Sequence, residues 1–189
     1  MRRGPVKIKK WGAMAEPNIL LTGKPRAGKT TLVERVVERL RREAPGLRLA
    51  GFTTTELRDA AGERCGFAIV TLGGESATLA RAGLESKVRV GRYGVDLEAF
   101  ERLALPELAR RDADVMVVDE IGKMECASGR FRRAVEDALD APVVVLATLG
   151  ISALPFFQAL RERPDVELIT VTPRNRDALA GELCARLVR

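Results

Sequence analysis

A chain of 189 residues, 46% hydrophobic and 31% charged, is long enough to bury one substantial core, and no apolar run in it approaches the roughly 20 residues that a membrane span needs. There is no histidine, and Cys65, Cys126 and Cys184 lie far apart, which excludes histidine acid–base chemistry and paired zinc-ligand spacings. The net charge of +6 is concentrated at the N-terminus, where Arg2, Arg3, Lys7, Lys9 and Lys10 against Glu16 make residues 1–16 +4 and leave the remaining chain only +2.

That tail reads as a basic, disordered and solvated extension. A basic arm can also contact nucleic acid, but with Trp11 as its one aromatic residue it lacks a stacking platform. It is not followed by the apolar core of a secretion signal, so a cytoplasmic location is expected. Residues 17–189 read as a single domain.

Asn18–Thr22 holds the apolar run Ile19-Leu20-Leu21 without alternation, the pattern of a strand buried on both faces. The octet Gly23-Lys24-Pro25-Arg26-Ala27-Gly28-Lys29-Thr30 follows, and then a helical pattern from Lys29 to about Ala44, with Leu32, Val36 and Leu40 on one stripe and Pro45-Gly46 ending it. Strand, glycine-bounded turn and helix in this order make a phosphate loop. Gly23 and Gly28 bracket residues whose backbone N–H groups can turn inward onto phosphate oxygens, and the helix start adds partial positive charge. Lys29 then reaches the β- and γ-phosphates, and the Thr30 hydroxyl is a Mg²⁺ ligand. Lys24 and Arg26 add charge to the loop or point outward. With Pro25, Ala27 and Thr31 these residues make the first nucleotide-binding segment.

Leu47–Thr55 and Arg64–Leu72 read as strands, and Asp59-Ala60-Ala61-Gly62-Glu63 between them has the chemistry of a hairpin turn. Glu56 and Arg58 on the first strand are candidates for substrate contact or for a cross-strand ion pair. Ser76–Gly94 is harder to type: Lys87-Val88-Arg89-Val90 alternates like a strand, and Gly91-Arg92-Tyr93-Gly94 resembles a loop. Residues 51–95 together read as an accessory segment.

Asp96 caps a helix running to about Arg111. Val115-Met116-Val117-Val118 is a buried strand ending in Asp119-Glu120, the second half of the site. Asp119 is placed to bind Mg²⁺ and Glu120 to orient or deprotonate an attacking water. Ile121 and Gly122 complete this nucleotide-binding stretch, and Lys123 and Glu125 either face substrate or form a surface pair. Helices at Gly129–Leu139 after the cap Ser128, at about Ala153–Arg163 and at Pro173–Leu187 alternate with strands Val143–Ala147 and Val166–Val171. Arg58, Arg92, Arg130, Arg174 and Arg176 are each candidates for stabilising phosphoryl charge and equally for plain solvation, since 25 of the 32 basic residues are Arg.

The alternation implies an α/β fold of three layers, α/β/α, with a mostly parallel central sheet and an antiparallel hairpin insertion. Ligands in such sheets sit at the carboxyl ends of the strands.

Five runs then carry a resemblance. Gly51-Phe52-Thr53-Thr54-Thr55-Glu56-Leu57-Arg58, Gly66-Phe67, Gly91-Arg92-Tyr93-Gly94-Val95, Asp119-Glu120-Ile121-Gly122-Lys123-Met124-Glu125 and Thr172-Pro173-Arg174-Asn175-Arg176-Asp177 resemble, in order and spacing, the motifs of THEP1-type nucleoside-triphosphatases. The likeness covers nearly all of residues 18–189 and departs from the family at Arg26, where its members usually carry glycine.

The resemblance implies Mg²⁺-dependent hydrolysis of ATP, GTP and other NTPs to NDP and phosphate, on a RecA-like or AAA-like P-loop core. The expectation is therefore a monomeric NTPase with Lys29 and Glu120 catalytic. A nucleotide or nucleoside kinase with residues 51–95 as acceptor site, and an NTP-dependent switch or nucleic-acid binder, are the alternatives.

Overall fold

The structure, a computed structural model, describes residues 17–188, so the basic tail at residues 1–16 lies outside it. Nine strands form one sheet: β1 (Asn18–Thr22), β2 (Leu49–Arg58), β3 (Arg64–Thr71), β4 (Ser76–Ala82), β5 (Arg89–Val90), β6 (Tyr93–Val95), β7 (Val115–Ile121), β8 (Val144–Leu149) and β9 (Val166–Thr170). The helices are α1 (Lys29–Glu43), α2 (Leu97–Leu108), α3 (Gly129–Leu139), α4 (Pro155–Arg161) and α5 (Arg176–Leu187).

The sheet order is β5-β6-β4-β3-β2-β7-β8-β1-β9. The five strands from β2 to β9 in that order are parallel, and β3, β4, β6 and β5 extend the sheet as an antiparallel wing.

The lack of alternation in β1 has a simple cause: both of its faces are covered. Ile19 and Leu21 pack with Leu32, Val36 and Leu40 of α1 and Leu183 of α5, while Leu20 belongs to the opposite core. That second core holds Phe52, Phe100 of α2, Phe131 of α3 and Phe157 of α4. Phe52 and Phe100 meet edge-on at 5.8 Å and Phe100 and Phe131 at 5.1 Å, with about 2–3 kcal/mol of burial per ring. Helices on both faces give three layers. Among the described residues no helix is long and apolar enough to cross a membrane.

Two segments differ from the sequence reading. Of Gly91–Gly94, read as loop, Tyr93 and Gly94 belong to the strand Tyr93–Val95 paired with β4, and of Lys87–Val90 only Arg89–Val90 is strand. The two short strands pair with each other across Gly91-Arg92, and β6 pairs on its other side with β4, so the segment read as a loop is the turn and part of one arm of a tight hairpin. The helix expected at 173–187 begins at Arg176, because Thr172–Asn175 is tied into a turn by the Thr172 N–H donating to Asn175 Oδ1 at 2.8 Å.

Candidate active site

The phosphate loop joins β1 to α1 at the carboxyl edge of the parallel strands. Gly28 caps α1 with φ of 94° and no side-chain cap, and the first turn carries no acidic residue. The opening N–H groups of the helix therefore lack intrahelical acceptors and face outward as an anion site. Arg26 has φ of 64°, a left-handed conformation costing a non-glycine residue about 1–2 kcal/mol, which is why glycine suits this position better. Lys24, Pro25, Arg26 and Thr31 are exposed, Ala27 is buried, and Lys29 Nζ donates to the Gly23 carbonyl at 3.2 Å, folded back over the loop.

β8 lies between β1 and β7, so Asp119 comes to the loop across one intervening strand. The pairing of β7 with β8 advances from Val118–Ala147 to Ile121–Leu149, so two residues, Asp119 and Glu120, oppose the single Thr148. Such a bulge re-aims side chains, and here it occurs at the acidic pair.

Asp119 is fully buried, and Thr148 Oγ1 donates to its Oδ1 while Oδ2 has no hydrogen-bond partner. Burial pushes the Asp119 carboxyl up to about 6; the hydroxyls of Thr148 and Thr30 pull it down, and Glu120 and Glu34 push it up again. Thr30 and Asp119, assigned to the metal from sequence, are thus neighbours. Glu120 is half-buried, and its carboxyl is raised by burial and lowered by the positive charge of Lys29. Lysine, threonine and both carboxylates therefore stand on one side of the sheet edge.

Ile121 is core, its carbonyl accepting the Gly150 N–H at 3.0 Å. Gly122 is wedged between carboxylates: a Cβ there would stand 2.6 Å from both Glu120 Oε1 and Glu125 Oε2. Lys123 is exposed and Glu125 buried, so the two do not form a surface pair. Burial drives the Glu125 carboxyl up to about 8, with Glu120 and Asp119 adding to the rise and backbone N–H groups opposing it.

Sequence reasoning missed Thr148, although a polar residue closing the apolar run Val143–Ala147 is a detectable signal. It also missed that the turn after Gly122 returns Glu125 to the site, with the Cys126 N–H donating to the Gly122 carbonyl at 3.0 Å.

Most of the candidate arginines are engaged elsewhere. Arg58 pairs with Glu56 on its own strand at 2.6 Å, so that ion pair is not cross-strand; the cross-strand partner of Glu56 is Arg64, at 2.9 Å. Arg92 donates to the Arg64 carbonyl and lies 5.2 Å over the Tyr93 ring. Arg130 pairs with Glu101 at 2.8 Å. Arg174 is exposed, Asn175 braces its turn, and Arg176 lies against Gly28.

The chain is similar to known proteins over most of its length. The family model described as NTPase matches residues 18–184. The chain is 40% identical over 171 residues to nucleoside-triphosphatase THEP1 of Thermotoga maritima, covering 89% of this chain and 94% of that one. It is also 40% identical over 181 residues to the cancer-related nucleoside-triphosphatase of Homo sapiens, covering 88% and 94%. The crystal structure of THEP1 from Aquifex aeolicus superposes with a TM-score of 0.80 at 40% identity, covering 91% of this chain and 99% of that one. The solution structure of the human protein gives 0.76 at 39% identity, covering 89% and 96%.

Proposed function

This chain belongs to the NTPase family of THEP1-type nucleoside-triphosphatases, and from that premise we propose a division of labour at its site. It is a nucleoside-triphosphate phosphatase, an enzyme of the α/β phosphate-loop class. The loop amides, the open N-terminus of α1 and Lys29 hold the phosphates. Glu120 accepts the proton of a water whose oxygen bonds the γ-phosphorus as the bond to the β–γ bridging oxygen breaks, leaving NDP and phosphate.

Thr30 and Asp119 would hold Mg²⁺, which supplies neutralisation of charge on the β- and γ-phosphates. The observation that carries this reading is the fully buried Asp119 with its orphaned Oδ2 beside Thr30 and Glu120: a buried carboxylate oxygen without a donor is suited to a cation. Base choice is broad, because the loop addresses phosphates that every NTP shares. The thiols are all free, with Cys126 and Cys184 buried, as suits a reducing cytoplasm.

Phosphate release measured for ATP, GTP, CTP and UTP, with and without Mg²⁺, tests the assignment. Lys29→Ala abolishes turnover and weakens NTP binding. Glu120→Gln keeps NTP binding and lowers kcat by about 10²-fold or more. A Glu120→Gln enzyme with a normal rate refutes the role given to Glu120.

A further inference from the structure

One piece of chain closes in both glycines that bracket the phosphate loop: the segment following β9. A Cβ on Gly23 would stand 2.4 Å from the Val171 carbonyl oxygen, and one on Gly28 would stand 2.9 Å from both Cδ and Nη1 of Arg176. The Arg176 side chain therefore packs on the start of α1, one residue before Lys29. Its setting is well anchored. Besides the Thr172–Asn175 hydrogen bond, Asn175 Nδ2 donates to the Thr170 carbonyl at 2.9 Å, and Asp177 pairs with Arg35 of α1.

The guanidinium itself is left poorly engaged. Its Nε is buried without a hydrogen-bond partner, and the nearest carboxylate oxygen, Oδ1 of Asp177, is 3.8 Å away. The side chain is 37% exposed. A cation held in place by packing rather than by hydrogen bonds keeps its planar face and donors for a ligand.

Sheet order indicates which part of the ligand that is. Asp119 and Glu120 on β7 and Thr148 on β8 lie to one side of β1, and Arg176 follows β9 on the other. A triphosphate seated on the loop with its γ end toward Asp119 and Glu120 leaves its nucleoside on the β9 side. We propose that Arg176 is the nucleoside-binding residue, its guanidinium plane stacking on the base, so that the enzyme favours nucleotides over bare polyphosphate without choosing among bases. Stacking tolerates any base because each has a π-face. This rests on the NTPase reading of the loop, and it gives Arg176 a different task from that of an arginine finger on the γ-phosphate.

Titration calorimetry of ADP, GDP, UDP and pyrophosphate with wild-type, Arg176→Ala and Arg176→Lys proteins, in the presence of Mg²⁺, tests it. Arg176→Ala is expected to weaken each diphosphate about tenfold and pyrophosphate less than twofold. Arg176→Lys is expected to recover little, since an ammonium group restores the charge without the plane. Parallel loss on pyrophosphate, full recovery by lysine, or undiminished diphosphate affinity overturns the proposal, as does a wild-type protein that binds no diphosphate. None of these ligands offers a γ-phosphate for release, so a wild-type protein that released no phosphate from NTPs would sink the catalytic reading and leave this measurement interpretable.

Discussion

Oxygens of Glu125 and Glu120 both crowd the position a Cβ would take on Gly122, so they are no more than twice 2.6 Å apart, and Glu125 has no ion-pair partner among the described residues. Its carboxyl is held neutral by burial until about pH 8, against an ordinary value of 4.5. The folded state then binds a proton that the unfolded state has lost, so stability from this group is full below about pH 4.5, falls by about 1.4 kcal/mol per pH unit above it, and is gone above about pH 8. Denaturation in urea at pH 6, 7 and 8 should show stability declining in the wild type and a flatter profile in Glu125→Gln; equal slopes would refute this. The comparison is cleanest above pH 6, where Asp119, raised only to about 6, has largely titrated. At Gly122 itself, a methyl group strikes both carboxylates, so Gly122→Ala should cost about 1–2 kcal/mol in stability and, by displacing Glu120, about 10²-fold in kcat. Phosphate-release kinetics on folded protein would show whether kcat falls.

β2 pairs antiparallel with β3 of the wing and parallel with β7, and its seam with β7 closes around Gly51. With φ of 112°, Gly51 approaches β7 so closely that a Cβ would stand 1.9 Å from the Val117 carbonyl oxygen, and its N–H donates to Glu107 Oε2 of α2 at 2.7 Å. Gly51→Ala must part the two strands or force a strained φ, and is expected to cost about 3 kcal/mol or more; chemical denaturation giving under 1 kcal/mol would show that the seam yields. The runs Gly51–Arg58, Gly66-Phe67 and Gly91–Val95 take on a common meaning in this wing. Arg64 joins Glu56 of β2 and Tyr93 of β6, and Phe67 meets the Tyr93 ring edge-on at 5.3 Å. Glu56, a site candidate in sequence, takes part with Arg64, Phe67 and Tyr93 in a brace between strands, and its exposed ion pairs contribute little individually, about 0–1 kcal/mol each.

Across the whole molecule, the loop draws on β1 and α1, the carboxylates on β7, the Thr148 hydroxyl on β8 and Arg176 on the segment after β9. A ligand touching all of these adds a further link between elements already joined through the sheet and through the packing of α1 on α5. Nucleotide binding should therefore register as global stabilisation: at about 100 times its Kd, a nucleoside diphosphate adds about 2.7 kcal/mol, or a rise of roughly 5–10 °C in Tm for a domain of this size. Lys29→Ala should lose most of that rise, and a full rise in the variant would show that the ligand binds elsewhere.

Helix α1, the phosphate loop and the acidic pair could be read from residues alone, because glycine spacing, the 3.6-residue period and an apolar run ending in carboxylates are local properties of the chain. The strands from Ser76 to Val95 could be read only in part, since Tyr93–Val95 is held extended by pairing with β4 on one side and with the short β5 on the other. Sequence left Glu125 between facing substrate and forming a surface pair with Lys123, and Thr148 and Gly122 show their contacts only once β7 bulges against β8 and the following turn folds back. Composition and periodicity set the kind of fold and the chemistry it carries. Which carboxylates share a buried space, and which arginine rests on the loop, depended on strand order and close contact between residues far apart in the chain.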